Sequence, residues 1–416
     1  MMLLAVSICL GGCSDDLIRT LDTPAESQNG MKGTASVYFR DRESAVYASL
    51  AHSKLKKNTR ATGVEDIREV LPILRNKDTS ISRADMMPEL NDTVAYIINY
   101  AEDGGFTIVS ADVRMREILA YSDMGEFSMD NPISKRYFVD VLSDYYESSV
   151  NSTNLDLTPI PINPVPQGYT VNTAIMIHPD QDYPYDMYVQ KKHPGCPVGC
   201  VPVALSIVMS HCKDSFNYHG HNFDFANMRE VIAEEEEESK HEKFGYNTGN
   251  KIYDGCIEEM AQLLSWIGED IVVDYEPGSS VGSNSRGVEF LKATGYFLHN
   301  YFSGADDGPG SRNYPSSYYY SKFLPAGAIA RLRKDYLLLM GGNNEDTNSG
   351  HSWVCHGADY CINPDTGAYE DYYFKIDWGW GGRCNGSFTG DVFSVASRNY
   401  TKLMYASVKI EGKLKK

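Results

Sequence analysis

A chain of 416 residues is too long for one small core and long enough for two well-buried ones, so a boundary is sought near its middle. At 42% hydrophobic and 12% aromatic, its makeup is that of a folded protein and excludes disorder throughout. With 38 basic residues against 56 acidic ones the formal net charge is -18, which repels nucleic acid and anionic membrane surfaces and argues against nucleic acid as a partner.

From Met2 to Leu10 the chain is apolar but too short to span a bilayer, and it runs into Leu10-Gly11-Gly12-Cys13. That pattern resembles a bacterial lipoprotein signal peptide. The resemblance implies removal of residues 1–12, acylation of Cys13 as a lipid anchor, and an exported protein at the cell envelope or cell surface, released after processing. Residues 13–32, rich in Asp, Ser, Gly and Thr, read as a tether. No later stretch is apolar and long enough for a transmembrane helix, so the lipid is the only membrane attachment expected. Seven cysteines follow the targeting segment, an odd number that leaves at least one thiol unpaired within an exported monomer.

Residues 33–155 read as a small α+β domain. Val94 to Tyr100 and Phe106 to Ala111 flank Asp103-Gly104-Gly105 and predict a hairpin, with Ile118 to Tyr121 as a third strand. Tyr137, Val141 and Tyr145, with Phe138 and Leu142 beside them, recur at helical spacing. Between Asn151 and Gly168 repeated prolines keep the chain extended and mark the boundary. The second domain, 156–416, has its first clear helix at Cys200 to Cys212, apolar nearly all round and therefore buried. Another helix is expected over Ile257 to Ile267, the run Glu234 to Glu238 reads as solvated surface, and strands are expected from Ser352 onward. Helix first and sheet later is the order of an α+β fold.

Cysteine catalysis needs a thiolate, a base, a group that orients the base, and donors for the oxyanion. Cys200 follows Gly199 at the start of the buried helix, where unpaired N–H groups and the helix dipole favour a thiolate, so a lowered thiol pKa is expected. Pro202 is compatible with a first helical turn. His351 stands 151 positions later, after a glycine-rich Gly341 to Gly350 loop, and opens the strand-like run Ser352 to Gly357. Asp377 ends a further strand and is a candidate to orient the imidazole, with Trp378 shielding the pair from water. His356 alternates to the other strand face from His351 and reads as structural.

These motifs, in this order, resemble the streptopain family of secreted cysteine peptidases. Pro197-Val198-Gly199-Cys200-Val201 is similar to its nucleophile motif, Gly350-His351-Ser352-Trp353-Val354 to its histidine motif, and Asp377-Trp378-Gly379-Trp380-Gly381-Gly382 to its aromatic-glycine motif. Gln181-Asp182-Tyr183-Pro184-Tyr185-Asp186 resembles a family segment whose glutamine is the oxyanion donor, which assigns that role to Gln181. Phe106 to Asp112 and Ile118 to Asp123 resemble the family's propeptide. Asp377, His356 and Pro202 stand where the family more often has Asn, Asp and Ala. The resemblance implies a papain-like α+β catalytic domain behind an inhibitory propeptide. It also implies an endopeptidase acting through a thioester, needing no cofactor or metal, with protein or peptide substrates and its own propeptide as intramolecular inhibitor. Two competing readings remain: a non-catalytic surface lipoprotein using the fold as a binding module, and a zinc site built from Cys196, Cys200, His211 and Cys212.

Overall fold

The computed structural model describes residues 38–55, 63–75, 92–130, 132–151, 168–238, 246–300, 325–344, 349–390 and 404–411. The signal segment, Cys13, the tether and most of the proline-rich linker lie outside the described residues. In chain order the first part contains α1 (Arg42–Leu55), β1 (Ile67–Leu74), β2 (Thr93–Tyr100), β3 (Phe106–Ser110), β4 (Ile118–Ser122) and α2 (Pro132–Asn151). The second contains β5 (Tyr169–Asn172), α3 (Met187–Lys192), α4 (Cys200–Cys212), β6 (Phe216–Tyr218), β7 (His221–Phe223), α5 (Phe225–Glu238) and α6 (Lys251–Asp270). After these come β8 (Asp274–Glu276), β9 (Ser279–Val281), α7 (Asn284–Ala293), β10 (Leu298–Asn300) and α8 (Pro325–Leu332), then β11 (Tyr336–Asn344), β12 (Ser349–Ile362), β13 (Tyr369–Asp377), β14 (Gly386–Thr389) and β15 (Met404–Lys409).

The expected hairpin is β2–β3, with Ala95 opposite Ser110 and Asn99 opposite Phe106. Its turn needs Gly105, because φ is +90° and a Cβ there would lie 1.9 Å from the Ser122 carbonyl oxygen. Both strands are buried on both faces, so they read as unbroken apolar runs. One face packs with α1 through Ala45, Ala48, Tyr96, Ile98 and Val109. The other packs with α2 through Ile97, Phe106, Ile108, Phe138, Val141 and Leu142.

Every residue of α4 after Cys200 is buried, as its apolar circumference requires. Helix α6 begins six residues before the expected Ile257. Its start is set by a polar cap, the Asn250 side chain accepting the N–H groups of Ile252 and Tyr253, and not by apolar spacing. Glu234 is exposed near the end of α5, as a solvated run should be. The expected Gly341 to Gly350 loop is a correction. Gly341 and Gly342 lie inside β11, paired with Ser352 and His351 of β12. Glycine is needed at 341 because a Cβ would fall 2.2 Å from Asn284 Nδ2.

Among the described residues an 11-stranded antiparallel sheet runs β1-β2-β3-β4-β14-β13-β12-β11-β15-β10, with β5 also on β12. The two sequence regions do not keep separate sheets or wholly separate cores. Strand β4 joins β14 through Tyr121–Ser387 and Ala120–Phe388, and one apolar cluster contains both Phe138 and Trp378. Asp359 of β12 stitches the junction, accepting from Tyr121 Oη at 2.7 Å and from Thr170 Oγ1 of β5 at 2.7 Å. No helix among the described residues is long and apolar enough to cross a membrane. Asp359→Ala in a full-length Cys200→Ala background should lower unfolding stability by about 1–3 kcal/mol in urea, the cost of depriving the buried Tyr121 hydroxyl of this acceptor. An unchanged urea midpoint would show that the stitch contributes nothing.

Candidate active site

Gly199 precedes α4 with φ +94°, and a Cβ there would press on Ser280 of β9 at 3.2 Å, so glycine is needed on both counts. The β8–β9 hairpin grips this loop: Ser280 Oγ donates to Pro197 O at 2.6 Å, and Gly278 N–H to Gly195 O at 2.8 Å. Cys200 is thereby fixed as the first residue of α4 and is half-buried.

The segment carrying Gln181 is tied to the same loop, Val198 N–H donating to Gln181 O at 2.8 Å. Gln181 is 5% exposed, and its Nε2 has no hydrogen-bond partner among the described residues. A buried amide donor left unsatisfied is costly unless something else is to accept it.

His351 does not meet Cys200. Successive residues of β12 face opposite ways, and it is Ser352 that lies on the side of the Cys200 thiol. Ser352 is held in turn by Asn284 of α7, its Oγ donating to Asn284 Oδ1 at 2.7 Å. His351 points to the far face, where its ring lies 4.5 Å from Trp380 and 5.3 Å from Tyr137 of α2. Its Nε2–H donates to the Trp378 carbonyl at 2.9 Å. Burial holds this histidine neutral and pushes its pKa down to about 4, despite the Trp378 carbonyl.

Two expectations are corrected here. Burial pushes the Cys200 thiol above its ordinary value, although the Ser352 and Val201 groups pull the other way, so the helix start alone does not yield a thiolate without a cation beside it. Asp377 does not orient His351: its Oδ2 accepts from His178 Nδ1 at 2.5 Å and its Oδ1 from Gly379 N–H at 2.9 Å. Burial alone would raise the Asp377 carboxyl, but His178 and the Gly379 N–H outweigh it and leave it below the ordinary value. Trp378 contributes its carbonyl to His351, while its buried ring lies 6.1 Å away, farther than Trp380. Sequence reasoning missed His178, which stands in no spacing that announces a role, and read Tyr137 only as part of a helical stripe and Ser352 only as a neighbour of His351.

His356 is structural, as expected. It is the extra residue of a bulge between Cys355 and Gly357, and its Nδ1–H donates to Thr173 O at 2.8 Å. The zinc reading fails on His211, whose Nδ1–H donates to Ile207 O at 2.7 Å while Nε2 accepts from Met176 N–H at 3.0 Å, leaving no nitrogen for a metal. None of the seven cysteines among the described residues is in a disulfide.

A cysteine heading a buried helix, packed on an antiparallel sheet that carries a histidine and covered by an N-terminal domain, defines a cysteine peptidase in its zymogen form. Residues 180–388 match the peptidase C10 family, and residues 28–148 match the Spi protease inhibitor family. The chain belongs to the peptidase C10 family. Streptopain of Streptococcus pyogenes serotype M1 is 23% identical over 356 residues, covering 76% of this chain and 79% of that protein. A second S. pyogenes streptopain is 24% identical over the same coverage. A solved fragment of Prevotella intermedia prointerpain A covers 82% of this chain and 98% of its own, with 19% identity and a TM-score of 0.47.

The buried histidines make the zymogen acid-sensitive. With a folded pKa of about 4 for His351 against an ordinary 6.5, the unfolded chain takes up the proton first as pH falls, so stability drops between those values. His211, pushed down to about 3 by burial, acts in the same direction. Thermal unfolding of the full-length Cys200→Ala chain should therefore shift to lower temperature from pH 7 to 4.5, and less steeply in His351→Phe. Equal slopes would mean that His351 is not held neutral.

Proposed function

We propose that this chain is the latent precursor of an exported, lipid-anchored endopeptidase that hydrolyses peptide bonds through a thioester on Cys200. The observation that carries the reading is the buried, unpaired Gln181 amide tied by one backbone bond to the loop that delivers Cys200. Cys200 Sγ attacks the substrate carbonyl, and Gln181 Nε2 with the Cys200 N–H takes the oxyanion. His351 accepts the thiol proton and returns it to the leaving amine. The Trp378 carbonyl, by accepting from Nε2–H, leaves Nδ1 as the basic nitrogen.

Residues 33–155 act as the inhibitory propeptide and 156–416 as the catalytic domain, with cleavage in the proline-rich linker. Latency follows from the contacts of α2. Tyr137 packs on His351, Trp353 and Trp378, and Phe138 on Trp378 and Trp380, which favours the histidine on the far face of β12. Removing α2 takes those rings away and frees His351 to turn to Cys200, where a thiolate–imidazolium pair forms. Signal removal after residue 12 and acylation of Cys13 would hold the protein at the envelope until processing.

A non-catalytic binding module is favoured by one observation, the raised Cys200 thiol with no histidine beside it. The readings separate when processed protein is treated with an irreversible thiol-directed peptidase inhibitor and the label is mapped by mass. A single label at Cys200, loss of casein cleavage, and inertness of Cys200→Ala are expected, with the uncleaved chain labelled far more slowly. Folded, processed protein that neither labels nor cleaves casein would establish the binding module. Gln181→Ala should lower kcat by about a hundred- to a thousandfold while leaving the label at Cys200.

A further inference from the structure

The segment that carries the oxyanion donor and the segment that aims the base are joined at three successive residues. His178 Nδ1 donates to Asp377 Oδ2 at 2.5 Å, Gly381 N–H donates to Pro179 O at 3.2 Å, and the Arg383 guanidinium pairs with Asp180. Gln181 follows at once, its own N–H donating to Asp180 Oδ1 at 2.6 Å. On the other side Asp377 is followed by Trp378, whose carbonyl holds His351. Asn385 closes the corner, its Oδ1 accepting from Trp378 N–H at 3.0 Å and its Nδ2 lying 3.5 Å from His178 Nδ1.

The three ties are unequal. Arg383 is 47% exposed although its partner Asp180 is 10% exposed, so this pair is open to water at one end. Asp377 is fully buried and His178 only 19% exposed, so their bond is charge-assisted and sheltered from water. Loss of either partner leaves a polar group buried without its bond, at a cost several times that of a surface pair.

We infer that His178 and Asp377 are a positioning pair that anchors the segment carrying Gln181 to the end of β13 and so fixes the Gln181 amide beside Cys200. The inference rests on the catalytic reading of Gln181 given above. Binding of substrate needs no such placement, but stabilising an oxyanion does. The pair therefore acts on kcat and leaves KM nearly unchanged.

The test uses the full chain and its His178→Ala, Asp377→Ala, double and Asp377→Asn forms, each processed in trans by tagged wild-type enzyme that is then removed. His178→Ala and Asp377→Ala should each lower kcat about ten- to a hundredfold, as displacement of a catalytic group by an ångström does, with KM within about threefold. The double variant should be no slower than the slower single one, because both remove the same contact. Asp377→Asn should stay within about fivefold of wild type, since its amide oxygen still accepts from His178 Nδ1–H. All variants should keep the thiol-directed label at Cys200.

Wild-type kcat in His178→Ala, independent losses in the double variant, or Asp377→Asn as slow as Asp377→Ala would each overturn the pair. Should Asp377→Ala fail to fold, His178→Ala and Asp377→Asn decide alone. An unprocessed, unlabelled and inactive wild type would instead sink the peptidase reading and the pair with it, which active wild type beside an unaffected His178→Ala does not.

Discussion

His351 lies against the rings of Tyr137 and Trp380, the contact on which the latency proposed above depends. An imidazole can serve as a base only where it can take a proton, and one sealed among aromatic rings with its pKa pushed down to about 4 is held neutral. The seal is contributed from both ends of the chain. Tyr137 and Phe138 come from α2, and Trp353, Trp378 and Trp380 from the sheet that carries the histidine. In the proposed mechanism, inhibition turns on which face of one strand a ring occupies.

The continuous sheet makes that arrangement stable. Because β4 pairs directly with β14, the first region is held by backbone hydrogen bonds as well as by side chains. Asp359 adds polar ties from Tyr121 and Thr170, and Arg116 reaches across to Asp371. The nucleophile side is supported independently, by α4 in its own apolar cluster with α6 and by the β8–β9 hairpin against the Gly199 loop. On the proposed reading, these contacts hold Cys200 and Gln181 together, and activation is a rearrangement of His351 on β12.

Much of the fold was legible in local signals. The Asp103-Gly104-Gly105 turn, the apolar run of α4 and the aromatic spacing of α2 each follow from chemistry within a few residues. Elements fixed by distant partners were not. Gly341 reads as loop in sequence, yet it is strand because it pairs with Ser352 of β12, with the Asn284 amide lying where its side chain would be. At the site, Cys200, Gln181 and His351 could be chosen because thiol, amide and imidazole stand in recognisable motifs. The partner of Asp377 could not. His178 carries no spacing signal, and only the fold shows that the carboxylate faces it, with the adjacent Trp378 carbonyl doing what a side chain was expected to do.

The junction between β4 and β14 has a further consequence once the first region has gone. Strand β14 then becomes a sheet margin with unpaired amides, the kind of feature that invites other chains to zip on. It covers only Gly386–Thr389 and follows directly on a bend with Cys384 at φ +63°. So short a margin, curved at one end, offers little template for self-association.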